Sequence, residues 1–264
     1  MMTETTTKWA LVTGASSGIG AEIATALAKR RYNLVIVARR EARLRQLANQ
    51  LTQDFGILVN VQPLDITSPA ARQQLKNTLA NDNIAPEFLV NNAGIGQVGQ
   101  FEQYDMADYQ RTIDLNCSAL TALICDYLPA MQQAGRGYIL NISSVSGLMP
   151  GPNLALYHAS KNFVQALSEG LWQENRSKGV VITASCPGPT ESEFHQHAGS
   201  DKIGMFNRVG LMAASTVAEQ AVDACLKGKR VVIHGLLNRL LGWSGKWTPR
   251  TLLLPLTAVI MSNR

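Results

Sequence analysis

Tyr157 and Lys161 lie four positions apart in the stretch LALYHASKNFV, Leu154 to Val164. On a helix that spacing puts both side chains on one face, within reach of each other. A free phenol titrates near pH ~10, too high for an effective proton relay at neutral pH, and a neighbouring ammonium favours its ionised form. The pair is therefore a candidate proton donor with the cation that tunes it; the alternative is an ordinary pair on a solvated helix. A second constellation is TGASSGIG, Thr13 to Gly20, in which Gly14, Gly18 and Gly20 are spaced G-x-x-x-G-x-G. Without Cβ atoms such a loop brings backbone N–H groups close to a pyrophosphate, and the helix that follows points its positive end at the same place. Ser16, Ser17 and Ile19 complete this candidate loop. A third is the run VIVARREARL. An NAD site carries Asp or Glu at the end of the second strand to hold the ribose 2′-hydroxyl. Arg39 and Arg40 stand there instead. A guanidinium grips a 2′-phosphate in a fork that a carboxylate would repel, which favours NADP(H) over NAD(H) with Arg39 as the main contact. Otherwise both arginines merely open the next helix.

These residues need elements to position them. Short β-branched runs read as buried strands: WALVT from Trp9, NLVIVA from Asn33, ILVNVQ from Ile57, EFLVNN from Glu87, GYILNIS from Gly137, VVITASC from Val180 and RVVIHG from Arg230. Amphipathic stretches lie between them, such as GAEIATALAKRR, EARLRQLANQLTQDF, SPAARQQLKNTLA and HASKNFVQALSEGLWQENRSK. Strands alternating with helices, with near-continuous apolar strands, predict an α/β chain. Its sheet is Rossmann-like, parallel and doubly wound, with about seven strands and helices on both faces. No linker or repeat divides residues 1–235, so one catalytic domain is the economical reading. The connection from Thr190 to Ser215 reads as a substrate lid.

Composition narrows the partners. The chain has 264 residues, formal net charge +5 and sequence pI about 9.1. Its basic residues are scattered, with no basic block interleaved with aromatics, so nucleic acid is not expected. Cys117, Cys125, Cys186 and Cys225 form no C-x-x-C pair and read as buried residues of a reduced, cytoplasmic protein. The N-terminus lacks the layout of a signal peptide, and TLLLPLTAVIM at Thr251–Met261 is too short to span a bilayer. His195 and His197 lack a third ligand at useful spacing, so no metal is expected. The extension 236–264 combines leucines, Trp243 and Trp247 with basic residues. It reads first as a cover for the substrate cleft or an oligomer seam, and second as a peripheral membrane contact.

The motifs together resemble the short-chain dehydrogenase/reductase superfamily, in its common single-domain form. The matching pieces are TGASSGIG, Asp65 in PLDI, NNAG at Asn91–Gly94, Asn116 in IDLNCS, NISSVSG at Asn141–Gly147, YHASK at Tyr157–Lys161 and CPGPT at Cys186–Thr190. They occur in order over about residues 8–235. The resemblance implies carbonyl–alcohol interconversion with Tyr157 as general acid and base. Lys161 would tune Tyr157 and hold the nicotinamide ribose, and Ser144, chosen over Ser143 by the family's spacing, would polarise the carbonyl. Asn116 would hold a water that links Lys161 to solvent. It further implies cofactor contacts from Asp65 to the adenine, from Asn91, Ala93 and Gly94 beside the adenosine ribose, and from Pro187, Gly188 and Thr190 around the nicotinamide. Helices near Met106–Gln133 and His158–Ser177 would form a homodimer or homotetramer interface. Met149, Leu154 and Phe194 would join Ser144 and Tyr157 in lining a substrate site, whose apolar character suits a lipophilic carbonyl. The rival reading is a non-catalytic NADP(H)-binding regulator or scaffold on the same fold.

Overall fold

The computed structural model describes residues 8–193 and 211–260. Among these, seven strands form one parallel sheet: β1 (Trp9–Thr13), β2 (Asn33–Ala38), β3 (Val59–Pro63), β4 (Phe88–Asn91), β5 (Gly137–Ile142), β6 (Val180–Cys186) and β7 (Val231–Ile233). Their order is β3-β2-β1-β4-β5-β6-β7. The expected doubly wound sheet is therefore present, and its order reverses between β1 and β4. Ligands of such sheets bind at that reversal, beyond the carboxyl ends of the strands.

Strand alternation divides the core into two layers. Ala10, Val12, Leu34, Ile36, Phe88 and Val90 face α1 (Gly18–Lys29), α2 (Glu41–Phe55) and the later helix Ala214–Leu226. Leu11, Val35, Val37, Leu89, Ile139 and Ile182 face the opposite side. That side is covered by α3 (Pro69–Asn81), by α4 (Met106–Ile113) with its continuation α5 (Leu120–Gln133), and by α6 (Ala155–Asn175). Because both faces are covered, the strands carry continuous apolar runs rather than alternating ones. The helix Ala214–Leu226 is α7; α8 (Leu236–Trp247) and α9 (Arg250–Ile260) follow β7.

Local chemistry sets several boundaries. Ser68 caps α3, its hydroxyl accepting from the Ala71 N–H at 3.3 Å, and Pro69 opens the helix where no N–H is needed. Gly56 closes α2 at φ 63°, a left-handed conformation natural to glycine. β3 therefore starts at Val59, two residues later than the apolar run from Ile57 suggests. Between α4 and α5 the segment Asp114–Ala119 makes a π-helical turn, an insertion that often marks functional sites.

Candidate active site

β1 ends at Thr13, and its hydroxyl ties the phosphate-loop end of the strand to the end of β4. Thr13 Oγ1 donates to Val90 O at 3.1 Å and accepts from the N–H groups of Asn92 and Ala93 at 3.0 and 3.2 Å. Asn92 completes the clasp, its Nδ2 donating to Thr13 O at 3.0 Å and Gly14 O at 3.2 Å. The glycines are required by contact. A Cβ on Gly14 would stand 2.7 Å from Asn92 Nδ2, one on Gly20 2.3 Å from Gly14 O, and one on Gly18 2.9 Å from Ser192 Cβ. Gly14 and Gly18 also adopt φ of 66° and 55°. Ser16, Ser17 and Ile19 are half-buried along this loop.

Arg40 crosses onto the loop. Its guanidinium donates to Ser17 Oγ at 2.7 Å and to Ser16 Oγ at 3.0 and 3.2 Å, and pairs with Glu193 at 2.6 Å. Arg43 pairs with the other oxygen of the same carboxylate. These two arginines, Arg40 first, hold the Glu193 carboxyl down at about 2. Arg39, expected as the main contact, is exposed and acts electrostatically on Asp65. Asp65 accepts from the N–H and hydroxyl of Thr67 at 3.0 and 2.8 Å. Burial would raise its pKa; the Thr67 bonds and Arg39 outweigh that and lower it.

Asn91, expected to wall the nucleotide site, turns its side chain into the sheet instead. Its Nδ2 donates to Asn141 Oδ1 at 2.8 Å on the adjacent strand, and Asn141 donates to Ser168 on α6 at 2.9 Å. Successive residues at a strand end point to opposite faces, so Asn92 takes the loop and Asn91 the core. The wall positions that remain are Ala93 and Gly94. A Cβ on Gly94 would lie 3.3 Å from both Asn116 Oδ1 and Lys161 Nζ, a tight approach that would push on both side chains.

Tyr157 stands in the first turn of α6, with Lys161 one turn further on. Lys161 is buried, its Nζ donating to Ile142 O at 2.8 Å and lying 5.8 Å from the centroid of the Tyr157 ring. Burial pulls its ammonium down to about 8, against the opposing influence of Cys117 and Cys186. Burial likewise pushes the half-buried Tyr157 phenol up to about 12, with only the hydrogen bond to Ser144 acting downward. The Lys161 ammonium is directed at the Ile142 carbonyl, and the expected lowering of Tyr157 rests on Lys161 together with an oxidised nicotinamide. Ser144 also accepts from Ser146 N at 3.1 Å, and Ser143 donates to Lys161 O at 2.8 Å, which ties β5 to α6.

Asn116 occupies the π-helical turn and is buried. Its side-chain amide brackets Ile95, accepting from Ile95 N at 2.9 Å and donating to Ile95 O at 2.8 Å, and it also donates to Ser160 Oγ at 3.0 Å. It thereby fixes the Gly94–Ile95 backbone beside Lys161. On the far side, Pro187 O accepts from Val145 N at 3.0 Å and from Ser144 Oγ at 3.4 Å. Thr190 is buried and donates to Gly188 O at 2.9 Å. A Cβ on Gly188 would meet Asn238 Nδ2 at 2.2 Å.

Of the expected substrate contacts, Met149 lies next to the tight turn Val145–Leu148, and Leu154 is buried at the start of α6. Leu154 lines a hollow with Gln97, Phe101, Tyr104 and Tyr109. Phe194, His195, His197 and most of the expected lid lie outside the described residues. His158 was not anticipated. It is buried, with Nδ1 2.8 Å from Met149 O and Nε2 without a hydrogen-bond partner, pressed against Gly151. It anchors the substrate-side turn to the helix that carries Tyr157. The adjacent YHASK spacing marks its place but not its burial.

The profile of the short chain dehydrogenase family matches residues 8–203. The chain belongs to the short-chain dehydrogenase family. Among curated relatives, the bovine very-long-chain 3-oxoacyl-CoA reductase (Bos taurus) is 35% identical over 186 residues, covering 68% of this short-chain dehydrogenase and 58% of the bovine enzyme. The chain thus spans less than two thirds of that relative's length. Among solved structures, a short-chain dehydrogenase from Sphingobium yanoikuyae in complex with NADPH is 34% identical, with a TM-score of 0.81 over 94% of this chain and 95% of that one. A bulky-bulky ketone specific alcohol dehydrogenase from Comamonas testosteroni is 33% identical, with a TM-score of 0.76 over 88% and 90%.

Proposed function

We propose that this short-chain dehydrogenase interconverts a carbonyl and an alcohol on a lipophilic substrate, using NADP(H). The observation that carries the reading is the hydrogen-bonded Ser144–Tyr157 hydroxyl pair with the buried Lys161 beneath it. The residues present fit a dinucleotide: Gly14 and Gly18 take positive φ, and a Cβ on Gly14, Gly18 or Gly20 would collide with neighbouring protein atoms, so glycines hold the tight loop that leads from β1 into the N-terminus of α1, the place where backbone N–H groups would meet a pyrophosphate. When bound, the dinucleotide supplies or accepts the hydride and, in oxidised form, adds a positive charge near Tyr157.

In reduction Tyr157 donates its proton to the carbonyl oxygen as the carbonyl carbon receives the hydride. Ser144 donates a hydrogen bond to the same oxygen and so stabilises the charge that develops there. A phenol near 12 is fully protonated at neutral pH, which suits it as the acid. In oxidation the positive charges of Lys161 and the nicotinamide must lower that value before Tyr157 can act as base. Lys161 would hold the nicotinamide ribose, and Asn116 keeps the Gly94–Ile95 backbone before it in place and would connect it to water. Arg39 and Arg40 would receive the 2′-phosphate. In support of NADP(H), the Sphingobium neighbour is bound to NADPH. The bulky-ketone neighbour supports a large apolar substrate, as do Leu148 and Met149 beside Ser144. A panel of aryl, steroid-like and long-chain ketones with NADPH, followed at the nicotinamide absorbance, tests the reading. Turnover of bulky ketones in preference to sugars is expected; turnover of none of the panel would leave only the scaffold reading.

A further inference from the structure

The last two helices do not hide their leucines. α8 turns one face inward: Asn238 is buried, a Cβ on Gly242 would stand 2.6 Å from Leu148 Cδ1, and one on Gly245 3.2 Å from Met149 Cε. Its outer face exposes Leu236, Leu237, Leu240 and Trp247. Among the described side chains of α9, Leu253 and Thr257, one helical turn apart, are buried, and Leu252, Leu254, Leu256 and Val259 are exposed to between 44% and 74%. Within Thr251–Ile260 there is no charged residue at all. A helix apolar all round is ordinarily covered by something. The inner face of α8 thus packs on the turn that follows Ser144, while the outer leucines of α8 and those of α9 face outward, where an oligomer seam or a bilayer would cover them.

Charge indicates what the cover is. No Asp or Glu follows Asp223, whereas seven Lys or Arg do. Arg239 and Arg250 are exposed beside the apolar residues, and neither pairs with a carboxylate among the described residues. A second copy of this surface would set like charges against each other without a carboxylate to answer them. A bilayer bearing anionic headgroups offers apolar depth and opposite charge together. The eleven residues of α9 rise only about 16 Å against a hydrocarbon core of roughly 30 Å, so the helix can lie in the interface and cannot cross it.

We propose that α8 and α9 dock this protein on the surface of an anionic lipid bilayer. α9 and the outer leucines of α8 enter the interface, while Arg239 and Arg250 meet the headgroups. Because the inner face of α8 rests on Leu148 and Met149, docking sets the turn that follows Ser144 close to the bilayer. The proposal does not depend on which carbonyl is turned over.

The test uses the full chain and vesicles of phosphatidylcholine with about 30% phosphatidylserine, sedimented at low and high salt. Most of the protein should sediment at low salt and several-fold less at high salt, and pure phosphatidylcholine should retain much less. The double variant Leu240→Glu/Leu256→Glu changes exposed positions, so its melting curve should match wild type while binding falls at least tenfold. Arg239→Gln and Arg250→Gln should each weaken binding to the anionic vesicles roughly fivefold and leave the weak phosphatidylcholine binding unchanged. Absence of sedimentation at low salt, or binding insensitive to the leucine changes, overturns the proposal. So does light scattering that shows a wild-type oligomer which the double variant takes apart, because a second copy would then be the cover.

Discussion

Glu193 bridges Arg40 and Arg43, and Arg40 simultaneously rests on the hydroxyls of Ser16 and Ser17. A 2′-phosphate approaching this corner competes with the Glu193 carboxylate for the same cations. Replacing Glu193 with Gln removes the competing charge while nearly keeping the shape. Glu193 is held at about 2, but both arginines and the carboxylate are 29–51% exposed, so the shift overstates the energy involved. Two exposed ion pairs at about 0.2–1 kcal/mol each make the competition worth about 1 kcal/mol, or roughly fivefold in affinity. Calorimetric titration of Glu193→Gln should therefore show NADPH binding roughly fivefold tighter than to wild type at low salt, with NADH nearly unchanged. The gain should shrink at high salt, because the competing charges are solvent-exposed. Equal changes for both cofactors, or weaker NADPH binding, would show that Glu193 organises the loop rather than opposing the phosphate.

Arg39→Ala should weaken NADPH by about 1.5–3 kcal/mol, the range for hydrogen bonds to charged groups, and leave NADH little affected; paired Kd measurements check this. Lys161 predicts a pH signature in the protein without cofactor. Its folded value near 8 lies below the ordinary lysine value of 10.5, so between these limits the unfolded chain holds the extra proton and stability rises with pH. Lys161→Met should accordingly be more thermostable than wild type at pH 7, with the advantage fading as pH climbs past 8 toward 10.5; a constant difference in Tm would contradict the buried, charged lysine. Gly94→Ala places a methyl 3.3 Å from Lys161 Nζ and Asn116 Oδ1. It should weaken NADPH and NADH alike by several-fold in the same titration.

What the sequence revealed depended on how local the cause was. β2 and β6 match their apolar runs, and α2 matches its amphipathic period, because burial and periodicity are written in consecutive residues. Ser144 joins the Tyr157–Lys161 pair through the ordered motifs of the family resemblance, not through local periodicity. Features that depend on distant partners were hidden. Adjacent Asn91 and Asn92 look alike, and only the pleat at the end of β4 sends one into the sheet and the other to the loop. The π-helical turn that presents Asn116 is a one-residue shift in hydrogen bonding with no compositional trace. The Arg40–Glu193 contact joins residues 153 positions apart. The burial of His158 beside Tyr157 follows from the approach of Gly151, which no spacing announces.

The central claim is that Tyr157 completes a hydride transfer between NADP(H) and a carbonyl. The most direct measurement uses NADPH deuterated at the transferring C4 position with a bulky ketone, and mass spectrometry of the product. The wild-type protein should yield an alcohol carrying deuterium at the carbinol carbon. Tyr157→Phe should bind NADPH with a Kd within about twofold of wild type yet form product at least a hundredfold more slowly, the scale of a lost general acid. Deuterated alcohol formed by the phenylalanine variant at a rate within tenfold of wild type would contradict the account.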